Sequence, residues 1–393
     1  MIQLQEPRQP GAFSLFNLGF RPFFLFGALA AVLLIGHWLG ALQSGWTPAY
    51  FTSGMYWHAH EMLFGFSLAI VAGFLLTAVR TWTNVQTPYG WSLAGIFAVW
   101  LTARILPFIP AVPDNLIALL NLGFPLLVAL GIGIPIIRSG NYRNLVFIGA
   151  LAGFFIASLL VHLQLLGITE NTLMSGLHLA LYLVVLIIVV IGGRVIPFFT
   201  ERGIGNNVSC LRRSWLEKAL LPLTVIWLLC QLLLPGTVAA VLSIALFALQ
   251  LLRLAGWYQT ALWQHPLLWI LHAGYGFIVL GFGLQAFAQL GWLASSIALH
   301  AFTVGGIGGL TLGMMARVSL GHTGRTLAVN KLIITAFACL ILSALVRIST
   351  QWLPLPYNTG LHISGGLWML AWLLFVIRYL PILVKPRVDG LWG

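Results

Sequence analysis

Twelve apolar runs, most close to 20 residues long, divide this sequence almost from end to end, and no other feature narrows its fold as far. They lie at approximately 22–42, 55–79, 88–106, 115–137, 144–166, 171–199, 214–234, 236–255, 266–291, 293–318, 328–351 and 358–383. A helix rises 1.5 Å per residue, so about 20 residues cross the roughly 30 Å of bilayer hydrocarbon with every backbone group bonded inside the segment. Only 7% of the 393 residues are charged, against about 25% in a soluble chain. The sequence therefore reads as an all-α polytopic membrane protein of about twelve transmembrane helices. Residues 1–21 form a lead-in, 22–383 the twelve-helix domain and 384–393 a tail. The longest connection, about 200–213, is too short to fold alone.

The net charge of +12 is the sort of balance that attracts nucleic acid, but its placement assigns it to topology. Of the 19 Lys and Arg, 17 fall at the even-numbered connections, the tails or the helix ends beside them. Only Arg104 and Arg347 sit at the odd ends. Such a bias places both termini in the cytoplasm and makes anionic lipid, not nucleic acid, the partner. The N-terminal segment lacks the short apolar core and small-residue cleavage site of a signal peptide. Cys210, Cys230 and Cys339 stand far apart, which argues against a disulfide framework, a cysteine metal site or a covalently attached haem.

The second, sixth and tenth runs each begin near a histidine and end near an arginine: His60 to Arg80, His178 to Arg194 and His300 to Arg317. At 1.5 Å per residue these separations put the three imidazoles about 24–30 Å from the arginine side, in one layer. His37, His162 and His362 fall near that layer, where an amphipathic ring is also tolerated at the lipid headgroups. The histidine runs are rich in small residues. Gly305, Gly309 and Gly313 make a continuous stripe, and Gly65, Ala69 and Ala72 continue the His58 face. Such stripes admit a neighbour or a cofactor closely.

"WHAHEM", residues 57–62, adds a second histidine and a carboxylate. On an α-helix His58 and His60 point about 200° apart, so they serve two sites on opposite faces. Glu61, at i+3 from His58, is placed to accept an N–H bond or to relay a proton. Neutral imidazole is the commonest biological metal ligand and often holds haem iron. The reading is that His58, His60, His178 and His300 are metal ligands, with His300 facing the second helix. Arg104 and Arg347 are the cations on that side that suit haem propionates. His272 and Tyr275, at i and i+3 in "LLHAGYG", read equally as a ligand site or a packed pair. His322 and Arg325 in "SLGHTGR" read as an anion site or a hairpin closure. Arg194 and Pro197, in "GGRVIPFFTERG", read as a lipid-facing arginine and a helix break.

The stretches "RPFFLFG", "WHAHEMLFGFSLAIVAGFLLTAV", "GGRVIPFFT", "LLHAGYG" and "HAFTVGGIGGLTLGMMARVSLGHTGR" together resemble the NnrS family of bacterial inner-membrane proteins. The resemblance runs from about Phe20 to the end. It implies a twelve-helix haem protein of the nitric oxide response, with copper also suggested, and marks His58, His60, Glu61, Arg194, His272, His300, His322 and Arg325 as motif positions. His178 rests on its spacing alone. The architecture is more loosely similar to the catalytic subunit of haem–copper oxidases and nitric oxide reductases, although no His-His pair occurs here.

The function so read is a multi-pass inner-membrane protein carrying one or two haem b groups, with copper or a second iron as a further metal. It binds nitric oxide (NO) and reduces it to N₂O in the manner of a nitric oxide reductase. Glu61 is the proton donor, and an external quinol or cytochrome supplies electrons. Two alternatives stay open: a non-catalytic haem protein that senses or buffers NO, and a proton-coupled transporter.

Overall fold

The computed structural model describes residues 13–205 and 208–393. Most of the lead-in, residues 1–12, therefore lies outside the described residues. The described chain is helical, with no strand among the described residues. Among the described residues twelve helices are long and apolar enough to cross a membrane: α1 Phe20–Ser44, α2 Gly54–Thr83, α3 Trp91–Phe108, α4 Asp114–Ser139, α5 Tyr142–Leu165, α6 Leu173–Ile204, α7 Ser214–Leu233, α8 Thr237–Trp257, α9 Pro266–Gln289, α10 Ser295–Gly321, α11 Lys331–Trp352 and α12 Tyr357–Val384. Each apolar run of the sequence corresponds to one of them. The protein is a multi-pass membrane protein.

The chain forms two compact units. The first holds residues 1–181, 318–327 and 375–393, and the second holds 182–317 and 328–374. In the first unit α1 lies along α2 through glycines. A Cβ on Gly19 would strike Leu76, one on Gly27 would strike Ile70, and one on Gly73 would meet Phe23. Gly176, early in α6, is pressed against the Ala157 carbonyl of α5. In the second unit the Gly305, Gly309 and Gly313 stripe receives α9, meeting Phe277, Gly274 and Ile270 in turn. The close neighbour that the stripe admits is thus a helix.

Two local features differ from the sequence reading. Pro197 does not end α6, which runs on to Ile204. The second feature matters more. Directly after His60, α2 becomes a π-helix over Glu61–Ser67, and directly after His300, α10 does so over Ala301–Gly308. A π-helix holds more residues per turn, so it advances the phase of every side chain that follows. Gly65 faces Glu61 and Arg104, as its spacing of four residues from Glu61 gives, while Ala69 lies toward Gly27 of α1. A 3.6-residue period had put both on one face. Longer π segments are rare and concentrate at functional sites. The sixth run, the other member of the sequence's triplet, stays α-helical throughout Leu173–Ile204.

Candidate functional site

The entry to α2 is built to hold the "WHAHEM" motif still. Ser53 caps the helix by accepting from the Tyr56 backbone N–H at 3.3 Å. Trp57 is fully buried in a cluster with Leu34, Tyr50, Phe51 and Ile117. The helix is α-helical from Gly54 to His60, so the two histidines do project to different neighbours. His58 is half-buried and stacks on Trp38 of α1, with ring centres 4.8 Å apart and planes 13° from parallel. His60 is only 1% exposed and faces Phe51, Phe64 and His162.

Around His60 the polar groups form one connected chain. The His60 Nδ1–H donates to Glu61 Oε1 at 2.9 Å. Arg104, from α3, donates through one guanidinium nitrogen to both Glu61 oxygens at 3.1 Å and through the other to Asn121 of α4. Glu61 is 2% exposed, and a carboxylate so deep requires this opposite charge. Gly65 makes room for the pair: a Cβ there would stand 3.0 Å from Glu61 Oε2 and 3.2 Å from Arg104. The Gly65 carbonyl, within the π segment, accepts from the Trp100 indole at 2.9 Å. On the other side of His60, His162 of α5 lies with its ring centre 5.2 Å away at 80°. Its Nδ1 is hydrogen-bonded to the Tyr50 hydroxyl at 2.6 Å. Tyr50 sits in the α1–α2 connection, and burial, reinforced by the charge of Asp114, pushes its phenol above the ordinary range. It is therefore neutral, able to donate or accept.

Both Nε2 atoms of this histidine pair are buried and have no hydrogen-bond partner. His60 and His162 each spend Nδ1 on a protein group and leave Nε2 unused. That is the pattern of a ligating imidazole oriented from behind. His37, in the same layer, packs edge-on against Trp57 with ring centres 4.4 Å apart, and its Nε2 is likewise buried without a partner. Among the described residues no three His, Cys, Asp or Glu side chains converge as a metal-holding group. His178 is half-buried two residues beyond the Gly176 contact with α5.

The second unit has its own polar centre. His272 donates from Nδ1 to the Leu268 carbonyl at 3.0 Å, and its buried Nε2 has no partner. His300 makes the corresponding bond to Ser296 at 2.6 Å. The two are not neighbours. His272 stands two residues from Gly274, where α9 meets Gly309, and His300 is nine residues from that crossing, roughly 12 Å along α10. Between α6, α7, α8 and α9 lies a network anchored on Arg253, which is 4% exposed. Arg253 donates to Glu217 at 2.8 Å, the Val189 carbonyl at 2.8 Å and the Tyr275 hydroxyl at 3.0 Å, and Tyr275 donates to Gln250 at 2.5 Å. The two glycines of "GGRVIPFFT" are the seat of this network: Gly192 lies against the Tyr275 ring and Gly193 against the Arg253 guanidinium. Tyr275 is thus a hydrogen-bond partner of Arg253.

His322 and Arg325 lie elsewhere in the first unit. His322 is against Phe20, at the start of α1, while His37 is 17 residues further along the same helix, about 25 Å away. Burial, with Arg387, Arg80 and Arg21 nearby, lowers the His322 pKa to about 4. The tail docks on this turn. The Val388 N–H donates to the Thr323 carbonyl at 3.2 Å, and Arg387 donates to the His322 carbonyl at 3.1 Å and to Asp389.

Sequence reasoning placed Glu61 and His60 in the site, put His162 only near the same layer, where a headgroup position was also open to it, and passed over Tyr50. It took Arg104 as a propionate partner and not as the counter-charge of Glu61. The signal for that pairing was present: Glu61 is the acidic residue deep in an apolar run, and Arg104 is one of two arginines on the sparse side. A family model described as NnrS protein matches residues 14–387. The chain belongs to the NnrS family. That membership is consistent with a role in the nitric oxide response. No curated protein matches the chain at a significant level. In this NnrS chain the conspicuous "WHAHEM" motif is one side of a buried, charge-balanced cluster whose other side is supplied by α5.

Proposed function

We propose that this NnrS chain is a haem-containing protein of the bacterial inner membrane that binds NO at a buried centre and reduces it to N₂O. The observation that carries the reading is the Glu61–His60 pair: a carboxylate capable of handling protons, bonded at 2.9 Å to an imidazole whose other nitrogen is buried and unpartnered. Reduction of two NO to N₂O and water consumes two electrons and two protons. The electrons require an external quinol or cytochrome, since the three cysteines are far apart and no covalent haem motif occurs. NO is apolar and dissolves in the bilayer, so a buried apolar centre suits it.

His272 fits a haem ligand, with Nδ1 fixed by a backbone carbonyl and Nε2 buried and unused. His58 and His300 are the further candidates on the second and tenth helices. The space between His60 and His162 does not fit a porphyrin. Their rings stand 5.2 Å apart and are closed in by Phe51, Phe64 and Tyr50, while a macrocycle needs a slot about 10 Å wide. A bound haem would supply the iron that binds NO and passes electrons. The chain's own part is to hold a proton on the Glu61–His60 bond, to fix Glu61 in place through Arg104, and to exclude water with the aromatic wall.

Purified protein examined by absorption spectroscopy and an NO electrode tests this. The expected result is a Soret band, a spectral shift on adding NO, and NO consumption with a reductant that slows in Glu61→Gln while the Soret band persists. Shifted spectra without consumption would turn the reading to an NO sensor or buffer. Absence of haem would sink it.

A further inference from the structure

We infer that the turn after α10, with the tail and the adjoining ends of α1, α2 and α12, forms a binding site for the phosphate group of an anionic ligand. The site lies in the first unit, and the inference does not depend on the haem reading. Three observations carry it, and the first is charge. Arg325 stands in the turn near Arg378 of α12, and Arg21, Arg80 and Arg387 lie near His322 of the same turn. Among the described residues, the acidic side chain of this group is Asp389. Even with the Gly393 oxygen that accepts from Arg21 counted as a second anion, five guanidiniums meet two negative groups and three positive charges are left over. Water does not screen all of this surplus. Arg21 is 0% exposed, donates to the Leu383 and Lys385 carbonyls at 2.8 Å, and keeps its Nε buried without a partner. Carbonyls at a helix end offset only part of a full charge, and a buried cation among further arginines calls for an anion.

The second observation is that the turn already receives an oxyanion. Gly324 has φ +72°, and the place its Cβ would take is 2.6 and 3.0 Å from the two Asp389 carboxylate oxygens. Arg387 clamps that carboxylate, donating from Nε at 2.9 Å and from a second nitrogen at 2.5 Å. Those bonds hold the Asp389 pKa down at about 2. A bare turn and a forked guanidinium are the means by which arginine also takes phosphate. The third observation is the setting. Ile377, Val388 and Leu391, next in sequence to these groups, are exposed apolar side chains, so the charged site borders surface that suits acyl chains. Arginines at a membrane face beside such surface fit a phospholipid headgroup. A free phosphate monoester carries the same group without the chains.

The test uses full-length protein, delipidated in detergent and titrated with short-chain phosphatidylglycerol, with glycerol 3-phosphate, and with short-chain phosphatidylcholine as the zwitterionic control. Native mass spectrometry counts the molecules bound, and the rise in Tm follows the affinity. Phosphatidylglycerol should bind at one equivalent, more tightly than phosphatidylcholine, and should weaken as salt rises from about 50 to 500 mM. Saturable binding of glycerol 3-phosphate as well would assign a free phosphate, and binding of the lipid alone would assign a headgroup; either result supports the site. Arg378 is exposed and Arg325 bonds within its own turn, so neither Arg325→Gln nor Arg378→Gln should threaten the fold. Each should weaken binding about five-fold, the worth of one unit charge at about 4 Å in water. Arg143→Gln, at another connection, should leave it unchanged. Asp389→Asn should tighten binding by a similar factor, because it removes the carboxylate that competes for Arg387. The inference is overturned if neither anionic probe binds, if the double variant Arg325→Gln, Arg378→Gln binds as tightly as wild type, or if Asp389→Asn weakens binding.

Discussion

Gly193→Ala is the smallest change that should do large damage, because its Cβ would land on the Arg253 guanidinium. The Arg253 stem comes from α8, so the methyl and the guanidinium cannot both occupy that place without α6 and α8 separating. Displacing the guanidinium breaks its bonds to Glu217, the Val189 carbonyl and Tyr275. Breaking a buried ion pair costs about 3–5 kcal/mol. Glu217 is 31% exposed and is partly rehydrated once released, so about 2–4 kcal/mol is the expected loss. That corresponds to a fall of about 4–10 °C in Tm. Thermal unfolding in one detergent, followed by intrinsic tryptophan fluorescence, measures it. Gly149→Ala is the matched control. It sits in α5 with nothing within 4 Å of the added carbon, so it should be neutral or stabilising by about 0.5–1 kcal/mol. The double variant Gly193→Ala, Arg253→Gln should be no worse than the worse single change, since both remove one network. A Gly193→Ala protein melting within 2 °C of wild type would show that Gly193 is not the seat of Arg253, and the reasoning would fall.

Three further outcomes follow from the first unit and the charge pattern. Glu61→Gln should cost about 3–5 kcal/mol by leaving Arg104 buried and uncompensated, and adding Arg104→Met should restore part of the loss; equal stability of the single variant and wild type would dismiss the pair. His322, lowered to about 4 from about 6.5 when unfolded, binds its proton more readily in the unfolded chain. Its contribution is therefore intact above about pH 6.5 and lost as pH falls toward 4, on the order of 3 kcal/mol, and His322→Gln should flatten the fall of Tm across that window. Reporter fusions after Gly45 and after Gly140 follow one and four crossings, so they should report opposite sides, with Gly140 cytoplasmic as its neighbours Arg138 and Arg143 require.

The twelve crossings were legible in the sequence because the bilayer imposes one requirement on every span: enough apolar residues in a row to cross with the backbone satisfied internally. The opposite directions of His58 and His60 were legible too, since that follows from helix geometry alone and α2 is still α-helical as far as His60. What lies around His60 was not. Its neighbours His162 and Arg104 are 102 and 44 residues away in the chain, and only the packing of α2 against α3 and α5 brings them to it. The π segment at Glu61–Ser67 was equally hidden, because it is a local winding that no residue type announces. Arg253 illustrates the same division from the other side. Read along the sequence it is one more basic residue at an even-numbered connection. Folded, it is the buried hub that makes Gly192 and Gly193 obligatory. Solvation by lipid acts on each segment separately and so is written in composition; charge compensation in a dry interior acts between segments, and only the tertiary structure decides which ones meet.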